Sequence, residues 1–162
     1  MKPYASFLTA LLWLGTSCIA NADPPKNLAS SILTQPLAER ILNIDVEADS
    51  ANSQPDTENA RTLISHCSYR AKDPGTNAAH IDVVLRQSEN ADLAKEQFDG
   101  AKVVYRGTDV PGMGDAAFRT KLPAQLQVLK GRVWLMVTAG TFKADPALEE
   151  LVAQEVLRRL RE

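Results

Sequence analysis

The sequence predicts an α+β fold, a single domain built on a mainly antiparallel β-sheet with helices packed on it. Three observations carry that expectation. Runs such as His80 to Gln87 and Arg132 to Thr138 alternate apolar and polar residues with a period of two. Consecutive runs are joined by short turn-forming steps, Pro74-Gly75 and Lys130-Gly131, which join neighbouring strands in opposite directions. Amphipathic helical stretches stand before, between and after the strand runs.

Composition narrows the function classes. The chain has 162 residues with 18 Lys+Arg against 20 Asp+Glu, a formal net charge of −2, so nothing in its overall electrostatics attracts nucleic acid. Two cysteines and two histidines exclude a disulfide scaffold or a four-cysteine zinc site. No cofactor or metal is expected.

Met1 and Lys2, the apolar stretch Phe7 to Leu14, and Ala20-Asn21-Ala22 form the charged start, hydrophobic middle and small-x-small exit of an export signal, expected to be cleaved after Ala22. The apolar run is shorter than the ~20 residues that span a bilayer, so no transmembrane segment is expected in the mature chain. Cys18 follows Leu14-Gly15-Thr16-Ser17, a loose version of the lipobox that precedes a lipidated cysteine, which leaves a lipid anchor as the minority reading. Removing residues 1–22 takes away Lys2, so 18 basic residues become 17 against 20 acidic, and Cys67 becomes the lone thiol.

Residues 23–30, with Pro24-Pro25, are expected as a flexible lead, and 31–162 as the domain. Leu33, Leu37 and Ile41 recur every four residues, with Thr34 or Gln35 available as cap and Pro36 in the first turn, so a short helix is expected. The polar stretch Glu47 to Ala60, with Pro55 and four acids, has no apolar period and is expected to be a loop. Thr62 to Arg70 and His80 to Gln87 are expected to pair as a hairpin. Ser88 or Asn90 then caps a helix carrying Ala94, Phe98 and Ala101. Strands at Ala116 to Thr120, Gln125 to Leu129 and Arg132 to Thr138 follow, and Asp145-Pro146 opens a terminal helix striped by Leu148, Leu151, Val152, Val156 and Leu160.

Several motifs invite chemistry. Gly112-Met113-Gly114-Asp115-Ala116-Ala117 has a G-x-G-x-x-A skeleton, but a strand-like run follows where a dinucleotide site needs a helix. Gly112, Gly114 and Asp115 are therefore expected to form a tight turn with positive φ. His66 and Cys67 are adjacent in a strand and point to opposite faces, so they cannot work as thiolate and base. A metal site built from His66, Cys67, His80 and Asp82 has no diagnostic ligand spacing. Placing Ile81, Val83, Leu85, Phe118, Leu126, Val128, Val133, Leu135 and Val137 in the core leaves the other sheet face to His80, Asp82, Arg86, Arg119, Gln125, Gln127, Trp134 and Met136. Of these, His80, Asp82, Arg86, Arg119, Gln127 and Trp134 form a candidate binding face, since Trp and Arg concentrate binding energy. The commoner arrangement is a helix or the acidic loop lying over Trp134 and Met136.

Ser31 to Leu42 (SILTQPLAERIL), Cys67-Ser68-Tyr69, the segment Val110 to Phe118 and Leu126 to Gly131 together resemble small exported domains of unknown function found in bacterial envelope lipoproteins, a PsbP-like group. Related sequences often read Gly-Leu-Gly-Asp-Ala-Ala where this chain has Gly-Met-Gly-Asp-Ala-Ala. The resemblance implies an α/β/α sandwich, an envelope location and a binding or assembly role, and carries over no catalytic residue. The chain departs from the pattern in its poor lipobox and in lacking a cysteine before Leu33 to pair with Cys67 once the signal is removed. The expected function is that of a periplasmic or envelope protein, a non-catalytic module that binds an envelope protein partner. The alternatives are a small-ligand carrier, or a thiol-dependent enzyme using Cys67.

Overall fold

The computed structural model describes residues 27–54, 56–59, 61–73, 78–141 and 143–160. The export signal expected over 1–22, with Cys18 and the cleavage point, lies outside the described residues, as does the Pro74-Gly75 turn. The chain runs α1 (Leu28–Ile32), α2 (Gln35–Leu42), β1 (Val46–Ala48), a 3-10 turn (Ser50–Ser53), β2 (Thr57–Asn59), β3 (Thr62–Ala71), β4 (His80–Ser88) and α3 (Ala91–Val104). It continues with β5 (Thr108–Asp109), β6 (Ala116–Lys121), β7 (Ala124–Lys130), β8 (Val133–Gly140) and α4 (Pro146–Arg159).

The strands form one sheet in the order β1-β3-β4-β8-β7-β6-β5, with β2 also on β3, and every pairing is antiparallel. The fold is α+β, with helices on both faces. On one face α1, α2 and α4 bury Cys67, Tyr69, Ile81, Val83, Leu85, Leu126, Val128, Leu135 and Val137 in the main core. On the other, α3 packs Ala94 and Phe98 on Phe118, Leu129 and Trp134. Each long helix begins where its sequence offers a cap. Asn90 accepts from the backbone of Leu93, and Asp145 from Ala147 and Leu148, satisfying donors that the first turn leaves open.

The polar stretch 47–60 is not a plain loop. It contributes β1 and β2, each laid antiparallel on a different part of β3, with the 3-10 turn between them. Such strands hold on by backbone pairing, and three exposed residues such as Thr57, Glu58 and Asn59 show no apolar alternation to betray them. Asn27 closes the gap between β1 and β2. Its Nδ2 reaches the carbonyls of His66, Ala51 and Gln54 at 2.9–3.0 Å, while its Oδ1 accepts from Ser30 N and Ser65 Oγ. Asn27 and α1, which fall partly inside the 23–30 stretch expected as a flexible lead, are thus ordered, and Ala29 of α1 is fully buried.

The Gly112 to Asp115 segment is the tight turn its glycines suggest. Gly112 and Gly114 sit at φ 79° and 62°, and a Cβ on Gly114 would lie 2.4 Å from the Leu129 carbonyl oxygen. That close approach lets Asp115 donate its N–H to Leu129 O at 2.8 Å and accept the Gly131 N–H at 2.7 Å, clamping the entry to β6 onto the β7–β8 turn.

One face assignment is corrected. In β6, Phe118 points to α3, and Arg119, not Phe118, lies on the main-core face, where it meets α4. The register settles it, because Phe118 pairs with Gln127 and Gln127 with Met136, all on the side of Trp134. Phe98 lies 4.7 Å from the Phe118 ring centre and 6.2 Å from that of Trp134, the latter edge-on. Truncating this wedge, Phe98→Ala, is expected to cost about 3–5 kcal/mol in urea unfolding, by burial lost plus the cavity left. A loss below about 1 kcal/mol would mean that α3 does not pack there.

Candidate functional site

The six residues of the expected binding face separate into three groups. Trp134 and Gln127 are buried beneath α3, with Trp134 Nε1 donating to Gln127 Oε1 at 3.1 Å. Arg86 stacks its guanidinium 4.7 Å over the Trp134 ring and so serves the packing of that tryptophan. Arg119 is on the opposite face. Only His80 and Asp82 lie on the part of the second face that α3 leaves bare.

Arg119 has a structural task. Its Nε donates to Glu149 Oε2 at 3.2 Å and its Nη2 to Glu150 Oε1 at 3.3 Å and to the Pro146 carbonyl at 3.1 Å, tying β6 to the first turn of α4. Glu149 is 1% exposed, and among the described residues its Oε1 meets no donor at full hydrogen-bond geometry. Burial raises its pKa above the ordinary glutamate value, against the lowering effect of Arg119. Because the folded value is raised, the native state holds the proton longer than the unfolded chain. Glu149 therefore costs stability as pH rises from the ordinary glutamate range through its folded value.

Strand alternation assembles the bare region row by row. Glu47, Arg70 and His80 are successive cross-strand partners on β1, β3 and β4, and Ser68 pairs with Asp82 in the adjacent row. His66 lies one further row along β3, and its Nε2 is 3.8 Å from Asp82 Oδ1, while Arg70 Nη2 is 3.9 Å from Asp49 Oδ2. Both separations exceed hydrogen-bond length, so these groups sit close without consuming one another's donors and acceptors. Asp49 has a lowered pKa, chiefly through the Ala51 N–H and the Ser50 hydroxyl, with smaller contributions from Arg70 and His66. Side-chain exposures of 46% for His66, 35% for Asp82 and 65% for Arg70 show that the region faces solvent. A cleft of about 560 Å³ opens at its end, lined by Glu47, Arg70, His80 and Asp82 together with Ala71, Ala78 and Ala79.

His66, Arg70, Glu47 and Asp49 are the members of this region that a face count begun at His80 leaves out. The signal was present, since the alternation that puts Cys67 in the core puts 66, 68 and 70 beside 80 and 82.

Cys67 is fully buried in the main core, and burial with the nearby Asp82 charge pushes its thiol up to about 12. It is a small hydrophobe at neutral pH. Since Cys67 faces away from His66, His80 and Asp82, these four do not converge, and among the described residues no group of three or more such side chains could hold a metal ion. Nor is any helix among the described residues long and apolar enough to cross a membrane. The chain matches no protein-family model, no curated protein and no solved structure.

Two outcomes are expected. Cys67 resists iodoacetamide in the native chain at neutral pH and reacts once urea unfolds it; rapid native labelling would place the thiol at the surface. The stability advantage of the wild type over Glu149→Gln shrinks as pH is raised from about 4 toward 7. A difference that stays flat across that range would remove the raised Glu149 value from the account.

Proposed function

We propose that this chain is an exported periplasmic or envelope protein that works as a non-catalytic binding or accessory module, and that the bare part of its second sheet face is the binding surface. The observation that carries the surface is the division of that face by α3. One half is filled by Phe98, Phe118 and Trp134; the other presents His66, Arg70, His80 and Asp82 toward solvent, with the His66–Asp82 and Arg70–Asp49 separations longer than a hydrogen bond. Export is supported by the pattern of residues 1–22 and by the resemblance to PsbP-like envelope domains. Burial of the Cys67 thiol argues against the thiol-enzyme reading.

Rigid strands suit recognition, because side chains on a paired sheet are already positioned and lose little freedom on binding. The mixed charges, three carboxylates against one arginine and two histidines, favour selectivity over indiscriminate attraction. The cleft of about 560 Å³ favours a second reading, a small-ligand carrier, located at the end of the β3–β4 hairpin instead of between sheet and helices.

The test separates surface from scaffold. His66→Ala and Arg70→Glu are expected to leave the melting temperature within the range of ordinary surface changes, about 0.5 kcal/mol, yet abolish capture of an envelope partner by the tagged chain. Trp134→Ala is expected to lower the melting temperature. Undiminished capture by the double variant His66→Ala/Arg70→Glu would reject this face as the binding surface.

A further inference from the structure

We propose that the cleft beside Arg70 takes a small zwitterion of the amino-acid or short-peptide kind, its carboxylate on Arg70 and its ammonium held by Asp82 and Glu47. The inference rests on the reading of the bare face as the binding surface and names the chemistry that face would take. Signs of charge alternate in a short space, since Glu47 and Arg70 are cross-strand partners, Arg70 and His80 are the next pair, and Asp82 follows on the same side of β4. A simple anion reaching Arg70 meets the carboxylates of Glu47, Asp49 and Asp82, and a simple cation reaching Asp82 meets Arg70. A molecule carrying both charges satisfies each side of the cleft at once.

The hydrogen-bonding state supports that occupant. Arg70 approaches Asp49 only to 3.9 Å and Asp82 approaches His66 only to 3.8 Å, so the planar fork of the guanidinium and the oxygens of Asp82 both retain capacity. Ala71, Ala78 and Ala79 give the cleft a small-residue wall, and its volume of about 560 Å³ leaves ample room for a dipeptide.

Calorimetric titration of the purified chain with alanyl-alanine, N-acetylalanine and alaninamide tests this. The second probe lacks the ammonium and the third lacks the carboxylate. Alanyl-alanine is expected to bind at least about tenfold tighter than either, and Arg70→Gln and Asp82→Asn each to weaken it about tenfold with no change in melting temperature. Equal affinity for N-acetylalanine or for alaninamide, or no binding of any of the three, overturns the proposal. If the titrations fail while Arg70→Glu still abolishes capture of the envelope partner, the ligand class is wrong and the binding face stands. If both fail, the face falls with it.

Discussion

The seating of Phe98 between Phe118 and Trp134 is the contact on which the remaining arrangement depends. A sheet has two faces, and strand alternation ties them together, so turning Phe118 toward α3 turns Arg119 toward α4. A guanidinium delivered against the main core needs acceptors, and α4 supplies them in Glu149, Glu150 and the Pro146 carbonyl. The buried ion pair is thus a consequence of the aromatic wedge on the far side of the same strand. Its cost is visible in Glu149, whose proton burial holds more tightly than water would.

The same wedge decides which part of the second face α3 leaves uncovered. α3 contributes Ala94 and Phe98 to a compact second core with Phe118, Leu129 and Trp134, and Arg86 finishes it by stacking on the indole. The rows beyond, running through His66, Asp82, Arg70 and His80, receive no helix among the described residues. Apolar packing is concentrated on one half of the face, and solvent-facing charged side chains on the other.

Much of this was legible in the sequence. The period-two runs, the Asp145-Pro146 and Asn90 caps and the Gly112-x-Gly114 turn gave the long strands, both long helices and the positive-φ turn, because each follows from local chemistry. What escaped depends on partners distant in sequence. Ala-Ala-Phe-Arg-Thr-Lys in β6 carries no alternation strong enough to say which of Phe118 and Arg119 faces the main core, and only Phe98 and Glu149 decide it. β1 and β2 exist through backbone bonds to β3, and Asn27 is held by carbonyls more than twenty residues away. Of the candidate site, His80 and Asp82 were visible from their own strand. Trp134 and Arg86 were drawn into it by residue type, and are accounted for by α3.

Residue-resolved covalent footprinting tests the division of the face most directly, with diethylpyrocarbonate on histidine and hydroxyl radical on tryptophan, read by peptide mass spectrometry with and without envelope extract. The account predicts that His66 and His80 react in the isolated chain and become protected in extract, while Trp134 is protected in both. A reactive Trp134 in the isolated chain, or histidines whose labelling the extract leaves unchanged, would contradict it.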